Sequence, residues 1–199
     1  MMTKSFLRKV WEFIWYEDSW ISWVVNVLLA FIVIKFLLYP GLGLLLGTPA
    51  PIVAVVSGSM EHDGDFDTFW DEKTCCNDDC SVSIIQGDFY EQINISKKQF
   101  RSFGFVNGFN KGDIMILYSA EHIELGDVIV YVIPSKADPI IHRVIKNGDL
   151  LVTKGDHNCN VGSFEANIQK EQVIGKAVWR VPWLGYVKIV AVEMLNLAR

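Results

Sequence analysis

The run from Trp20 to Leu46, WISWVVNVLLAFIVIKFLLYPGLGLLL, constrains this chain more than any other feature. About twenty helical residues at ~1.5 Å each cross a hydrocarbon core of ~30 Å. Residues 20–39 meet that length before Pro40 and Gly41, which are expected to break the helix. The stretch is apolar on all faces, as a helix surrounded by lipid requires. Trp20 and Trp23 mark one interface and Tyr39 the other. Lys35 lies near the far end, where its stem can carry the ammonium outward. Asn26 is a polar intrusion of modest cost. A cleaved signal peptide has a shorter apolar region and no aromatic-rich turns such as residues 6–15 before it. Lys4, Arg8 and Lys9 precede the helix, and the positive-inside rule gives Glu12, Glu17 and Asp18 little weight. The N-terminus is therefore expected in the cytoplasm and the body outside.

Of the 199 residues, 51% are apolar and 21% charged. That is too apolar for a disordered chain and too charged for one mostly in lipid. An anchor joined to a water-soluble body accounts for both. The division reads as a short N-terminal segment at 1–19, a transmembrane anchor at 20–46, a body at 47–182 and a last segment at 183–199. That last segment is apolar but short for a span, so it reads as a helix on the membrane surface or packed on the body. A net charge of −5 argues against nucleic acid as a partner. The acidity is uneven: residues 61–91 hold ten acids against one lysine.

The body reads as strands. Apolar, β-branched runs occupy 52–56, 113–118, 127–133, 139–145, 150–153 and 173–181, with Gly, Pro or Asn-Gly between them. Asn147-Gly148 reads as a hairpin turn pair between the fourth and fifth runs. The fold class is mainly β with one N-terminal transmembrane helix. Residues 61–110 interrupt the pattern and read as an insertion, since about fifty residues make a marginal core alone.

Three residues stand out chemically. Ser59 ends an apolar run in the turn Ser57-Gly58-Ser59-Met60, with Ser57 close enough for two hydroxyls to converge. His142 sits inside the apolar run IIHRVI, where an imidazole needs partners. Asp156 follows a strand and a glycine, a place where Asp commonly caps its own turn. Together they are a nucleophile, a base and an orienting carboxylate.

The chain resembles type I signal peptidases of the archaeal and endoplasmic-reticulum branch. The resemblance rests on PIVAVVSGSME at 51–61, KGDI at 111–114, GDVIVY at 126–131, IIHRV at 140–144, KGDHN at 154–158 and VPWLGYV at 181–187. These blocks stand in the family's order and leave the insertion uncovered. The resemblance implies a signal-peptidase-like β catalytic body. In it Ser59 is the nucleophile, and Ser57 with the Ser59 N–H forms the oxyanion hole. His142 stands where the bacterial branch has a lysine base, and Asp156 matches the first aspartate of the last block. The family's second aspartate, six residues on, is replaced by Gly162. The third member of the site is therefore Asp156, or Glu165 as the nearest later acid, or is not needed. The substrate is expected to add as a strand beside the segments before Ser59 and His142. Val53, Val55 and Ile140 are candidates to line its pockets.

Vicinal Cys75-Cys76 with Cys80 and Cys159 does not match zinc spacing. A disulfide from Cys80 to Cys75 or Cys76 is the expectation outside the membrane. Asp63, Asp65 and Asp67 suggest a calcium loop, but Thr68 and Thr74 stand at its two diagnostic positions. Asn94-Ile95-Ser96 matches a glycosylation sequon. No metal or cofactor is expected.

The reading is a membrane-bound serine endopeptidase that removes N-terminal signal peptides from secreted preproteins. Its partners are those preproteins, the lipid bilayer and the secretion translocon. It is expected in the cell membrane or endoplasmic-reticulum membrane, single-pass, with the catalytic domain on the extracytoplasmic side. Ser59 follows Leu46 by only thirteen residues, which places the active site near the bilayer. The alternative is a non-catalytic, membrane-tethered β-domain that binds a partner through residues 61–110.

Overall fold

A computed structural model describes residues 2–187 and 189–190. It divides into two units, Met1–Leu45 and Leu46–Arg199.

In the first unit, α1 (Met2–Tyr16) is followed by α2 (Trp20–Val33), a π-helical segment (Ile34–Leu38) and α3 (Tyr39–Leu46). The last three form one apolar helix from Trp20 to Leu46, long enough to cross a membrane. Pro40 does not end it, contrary to expectation. In the π segment the Tyr39 N–H reaches Ile34 O, five residues back. That widened turn makes room for the proline ring, whose missing N–H would otherwise interrupt an α ladder. Asn26 has a structural use: its Nδ2 donates to Ile14 O at 2.9 Å. Ser22 Oγ likewise donates to Phe13 O at 2.8 Å, so two polar groups satisfy carbonyls orphaned at the end of α1.

In the second unit, an antiparallel sheet runs in the order β1-β4-β8-β5-β6-β7. The strands are β1 (Ile52–Ala54), β4 (Ile114–Tyr118), β5 (Val128–Tyr131), β6 (Ile140–Lys146), β7 (Val152–Lys154) and β8 (Val173–Val181). Each lies within or beside one of the six apolar runs. The fourth and fifth runs do pair, but residues 147–151 connect them, a longer loop than the two-residue turn expected, and the register shifts between Val144 and Lys146. β5 is buried on both faces. Val128 and Val130 join Val55, Met60, Phe109, Met115, Leu117, Ile141 and Ala177 in one core cluster. Ile129 and Tyr131 join Val144, Leu151 and Ile168 in another.

The insertion folds onto the sheet rather than standing apart. It holds α4 (Phe66–Asp71), the hairpin β2 (Lys73–Cys75) and β3 (Ser83–Ile85), α5 (Gln86–Gln92) and α6 (Lys97–Phe100). Asp65 caps α4 by accepting the Thr68 N–H at 2.9 Å. Phe66, Phe69 and Trp70 share one face of α4 and pack with Tyr90, Ile95, Phe100 and Ile145 of β6. Disulfides join Cys75 to Cys80 and Cys76 to Cys159. The first is one of the two expected pairings. The second ties the insertion to the loop that follows Asp156.

The expected helix at 183–199 lies mostly outside the described residues. Its first residues are bound to the body: Trp183 N donates to Asp113 Oδ1 and Gly185 N to Gly112 O.

Candidate active site

β1 delivers the serine turn. Val55 N–H reaches Asp113 O and Gly112 N–H reaches Val55 O, which carries the pairing with the β4 side past Ala54. The chain then turns through residues 57–60, and Met60, fully buried, pins the turn into the core. Met60 O accepts from Phe109 N, and Ser59 O accepts from His157 N at 2.9 Å. Ser59 Oγ is left facing β6.

There His142 Nε2 lies 2.9 Å from Ser59 Oγ. Ser57 Oγ lies 3.2 Å from the same oxygen. His142 is only 5% exposed. Gly155 allows this approach, since a Cβ there would lie 2.8 Å from His142 Nε2 and 2.8 Å from Ser59 O.

The other imidazole nitrogen faces a second acid. His142 Nδ1 lies against Glu165 Oε1. Both atoms are buried and make no hydrogen bond to any other described residue, so this ion-pair contact is what each of them has. Glu165 Oε2 accepts the Gly162 N–H. A Cβ at Gly162 would stand 2.8 Å from that oxygen. Gly162 thus leaves the space that the Glu165 carboxylate occupies.

This corrects the expectation for Asp156, whose carboxylate does not meet His142. Its Oδ1 accepts from Tyr90 Oη at 3.0 Å and Arg143 Nε at 2.9 Å. Its Oδ2 accepts from Arg143 Nη2 at 2.8 Å and His62 Nε2 at 3.0 Å. Burial alone would raise its pKa, but the Arg143 guanidinium and the hydrogen bonds from His62 and Arg143 hold it well below the usual carboxylate range. Arg143 gives its remaining donors to the carbonyls of Gly104, Gly126 and Phe105. Beside them, Lys154 Nζ donates to Gln86 Oε1, Gly155 O and Asp156 O. Burial pulls the lysine down to about 8.

The pocket residues need a second correction. Val55 is 1% exposed and belongs to the core, so its side chain presents no open surface to a substrate. Val53 and Ile140 are half-buried against different core clusters. Val56, 47% exposed beside Ser57, is the apolar side chain that faces outward. β1 is an edge strand, and β7 pairs with β6 only from Arg143 onward. The edges next to Ser59 and next to His142 are thus both left without a neighbouring strand among the described residues.

Sequence reasoning missed His62, Tyr90 and the role of Arg143. Only Arg143 carried a signal, as a charge inside an apolar strand that must find a buried acid.

No family model matches the chain. It is 29% identical over 167 residues to the signal peptidase complex catalytic subunit SEC11 of Zygosaccharomyces rouxii, covering 77% of this chain and 73% of that one. The SEC11 subunit of Fusarium vanettenii is 27% identical over 171 residues, covering 79% and 73%. That of Candida albicans reaches 35% over a shorter stretch of 98 residues, 43% of this chain and 58% of the relative. The chain is thus similar over most of its length to catalytic subunits of signal peptidase complexes. In this chain an imidazole, not a lysine ammonium, stands beside Ser59 Oγ. The nearest buried lysine, Lys154, is engaged by three acceptors in the Asp156 cluster.

Proposed function

We propose that this chain is a membrane-anchored serine endopeptidase that removes signal peptides, with Ser59, His142 and Glu165 as its reacting set. The 2.9 Å contact between Ser59 Oγ and His142 Nε2, with Glu165 on the opposite nitrogen, carries the reading. A serine hydroxyl is a weak nucleophile until a base takes its proton. Glu165 keeps the hydrogen on Nδ1, so Nε2 is free to accept it, and the carboxylate then stabilises the imidazolium. Ser59 Oγ attacks the scissile carbonyl. The Ser57 hydroxyl and the Ser59 N–H, which has no acceptor among the described residues, stabilise the oxyanion. The imidazolium gives its proton to the leaving amine. A water, activated in the same way, then hydrolyses the acyl-serine.

The substrate backbone enters as a strand between the β1 edge and residues 140–142. The Trp20–Leu46 helix supports attachment to a bilayer, where preproteins leave the translocon. Lys4, Arg8 and Lys9 ahead of that helix support a body on the extracytoplasmic side. Two disulfides in the body support the same side, since thiols stay reduced in the cytosol.

The test uses full-length protein in liposomes with a model preprotein. Wild type is expected to cut after a small residue, as read from the new N-terminus by mass spectrometry. Ser59→Ala and His142→Ala are expected to leave the preprotein intact. Cleavage that survives Ser59→Ala overturns the assignment.

A further inference from the structure

The cluster around Asp156 joins both halves of the reacting pair. Arg143 follows His142 on β6, and its guanidinium meets both Asp156 oxygens. His62 lies three residues after Ser59, and its Nε2 meets Oδ2. The backbone of the same turn holds the serine directly: His157 N–H donates to Ser59 O, and Asp156 N–H to Met60 Sδ at 3.4 Å. One carboxylate therefore links the strand that carries the base to the turn that carries the nucleophile.

Two of the donors to this carboxylate come from the insertion. Tyr90 projects from α5, fully buried, and its hydroxyl reaches Asp156 Oδ1. Burial raises the phenol well above its ordinary range, so it remains a donor. The His62 ring lies flat on Phe69 of α4, with centroids 3.6 Å apart and planes 3° from parallel. That stacking fixes the direction of Nε2. Because Asp156 is ionised, it can only accept, so Nε2 carries the hydrogen.

We propose that His62 and Tyr90 are positioning residues for the Ser59–His142 pair, and that the insertion thereby completes the catalytic machinery. The proposal rests on the peptidase reading. Neither residue touches the reacting atoms. Each removes one way in which Asp156 could shift, and with it the turn at 154–158 that holds Ser59. Reactions of this kind are sensitive to such shifts, because a misplacement of ~1 Å can cost ~100-fold in rate.

The experiment measures kcat and KM of full-length protein in liposomes for Tyr90→Phe, His62→Phe and His62→Gln, beside wild type and Ser59→Ala. Tyr90→Phe deletes one oxygen, and His62→Phe keeps the stack on Phe69 while deleting the donor. Circular dichroism and a melting curve give the folded fraction, and rates are expressed per folded molecule. The expected result is a fall in kcat of about 10- to 100-fold in both Phe variants, with KM within about twofold. His62→Gln, whose amide can donate to Asp156, is expected to recover part of the His62→Phe loss. If His62→Phe does not fold, Tyr90→Phe decides alone. A kcat equal to wild type in the folded Phe variants, with only the melting temperature lowered, overturns the proposal and leaves the peptidase reading standing. Cleavage that persists in Ser59→Ala overturns that reading, and the proposal with it.

Discussion

The turn at 154–158 and the loop at 162–168 each bring one buried carboxylate to adjacent residues of β6, with opposite results. Asp156 meets Arg143 and is saturated by Arg143, His62 and Tyr90. Glu165 meets His142 and keeps one oxygen for the imidazole alone. A carboxylate tied to a permanent cation is fixed in charge and place, which suits it to hold structure. A carboxylate whose main partner is a neutral imidazole gains an interaction when that imidazole accepts a proton, which suits it to catalysis. The two acids differ in what already occupies them, and the proposed difference in role rests on that.

The largest effect that separates them is expected from Glu165→Gln. Its amide can present the wrong hydrogen-bonding partner to Nδ1, and kcat should fall by about 10^3- to 10^4-fold while the protein stays folded. A kcat within tenfold of wild type would put Glu165 outside the reacting set.

Asp156→Ala should fail differently. It leaves Arg143 buried and uncompensated, which costs about 3–5 kcal/mol of stability. Chemical unfolding should show this as a lowered midpoint, and a midpoint unchanged from wild type would remove the contrast.

Next comes the covalent tie between the insertion and the Asp156 turn. Replacing Cys76 and Cys159, 83 residues apart, with serine should cost about 2–4 kcal/mol. Replacing Cys75 and Cys80, only five apart, should cost less. Equal losses in the two melting curves would mean that the long link does not hold the insertion to the turn.

The smallest effect is one of pH. Lys154 falls to about 8 when folded, from 10.5. Between those values the unfolded chain holds the proton that the folded one has released, so stability should rise with pH, by up to about 3 kcal/mol. Three acceptors around the ammonium work against the full shift. Asp156 acts at the other end. Its contribution is present above its ordinary 3.8 and is lost as the pH falls through its lower folded value. Lys154→Met should flatten only the alkaline rise in melting temperature, and a rise that persists in that variant assigns it to another group.

Much of the sheet was legible because its strands are short β-branched runs bounded by turn residues, a local signal. The long apolar helix was legible by length and apolarity, although its passage through Pro40 was not, because a π turn cannot be read from composition. Ser59 and His142, which the fold brings within 2.9 Å, stand in the sequence as chemistry in unusual places, a hydroxyl in a glycine turn and an imidazole in an apolar strand. Which of Asp156 and Glu165 lies against His142 was not legible, because it depends on which buried partner each acid meets. The Cys76–Cys159 link and the reach of His62 and Tyr90 were hidden for the same reason. They join residues brought together only when the insertion packs its aromatic face on β6.

The most direct test of the account is acylation of the serine itself. Full-length protein is mixed with an activated ester of a small-residue peptide, and the adduct is located by mass spectrometry. The account predicts a burst of one acyl group on Ser59, absent in Ser59→Ala and His142→Ala and much slower in Glu165→Gln. An adduct on another residue, or a Ser59 adduct formed equally fast in His142→Ala, would contradict it.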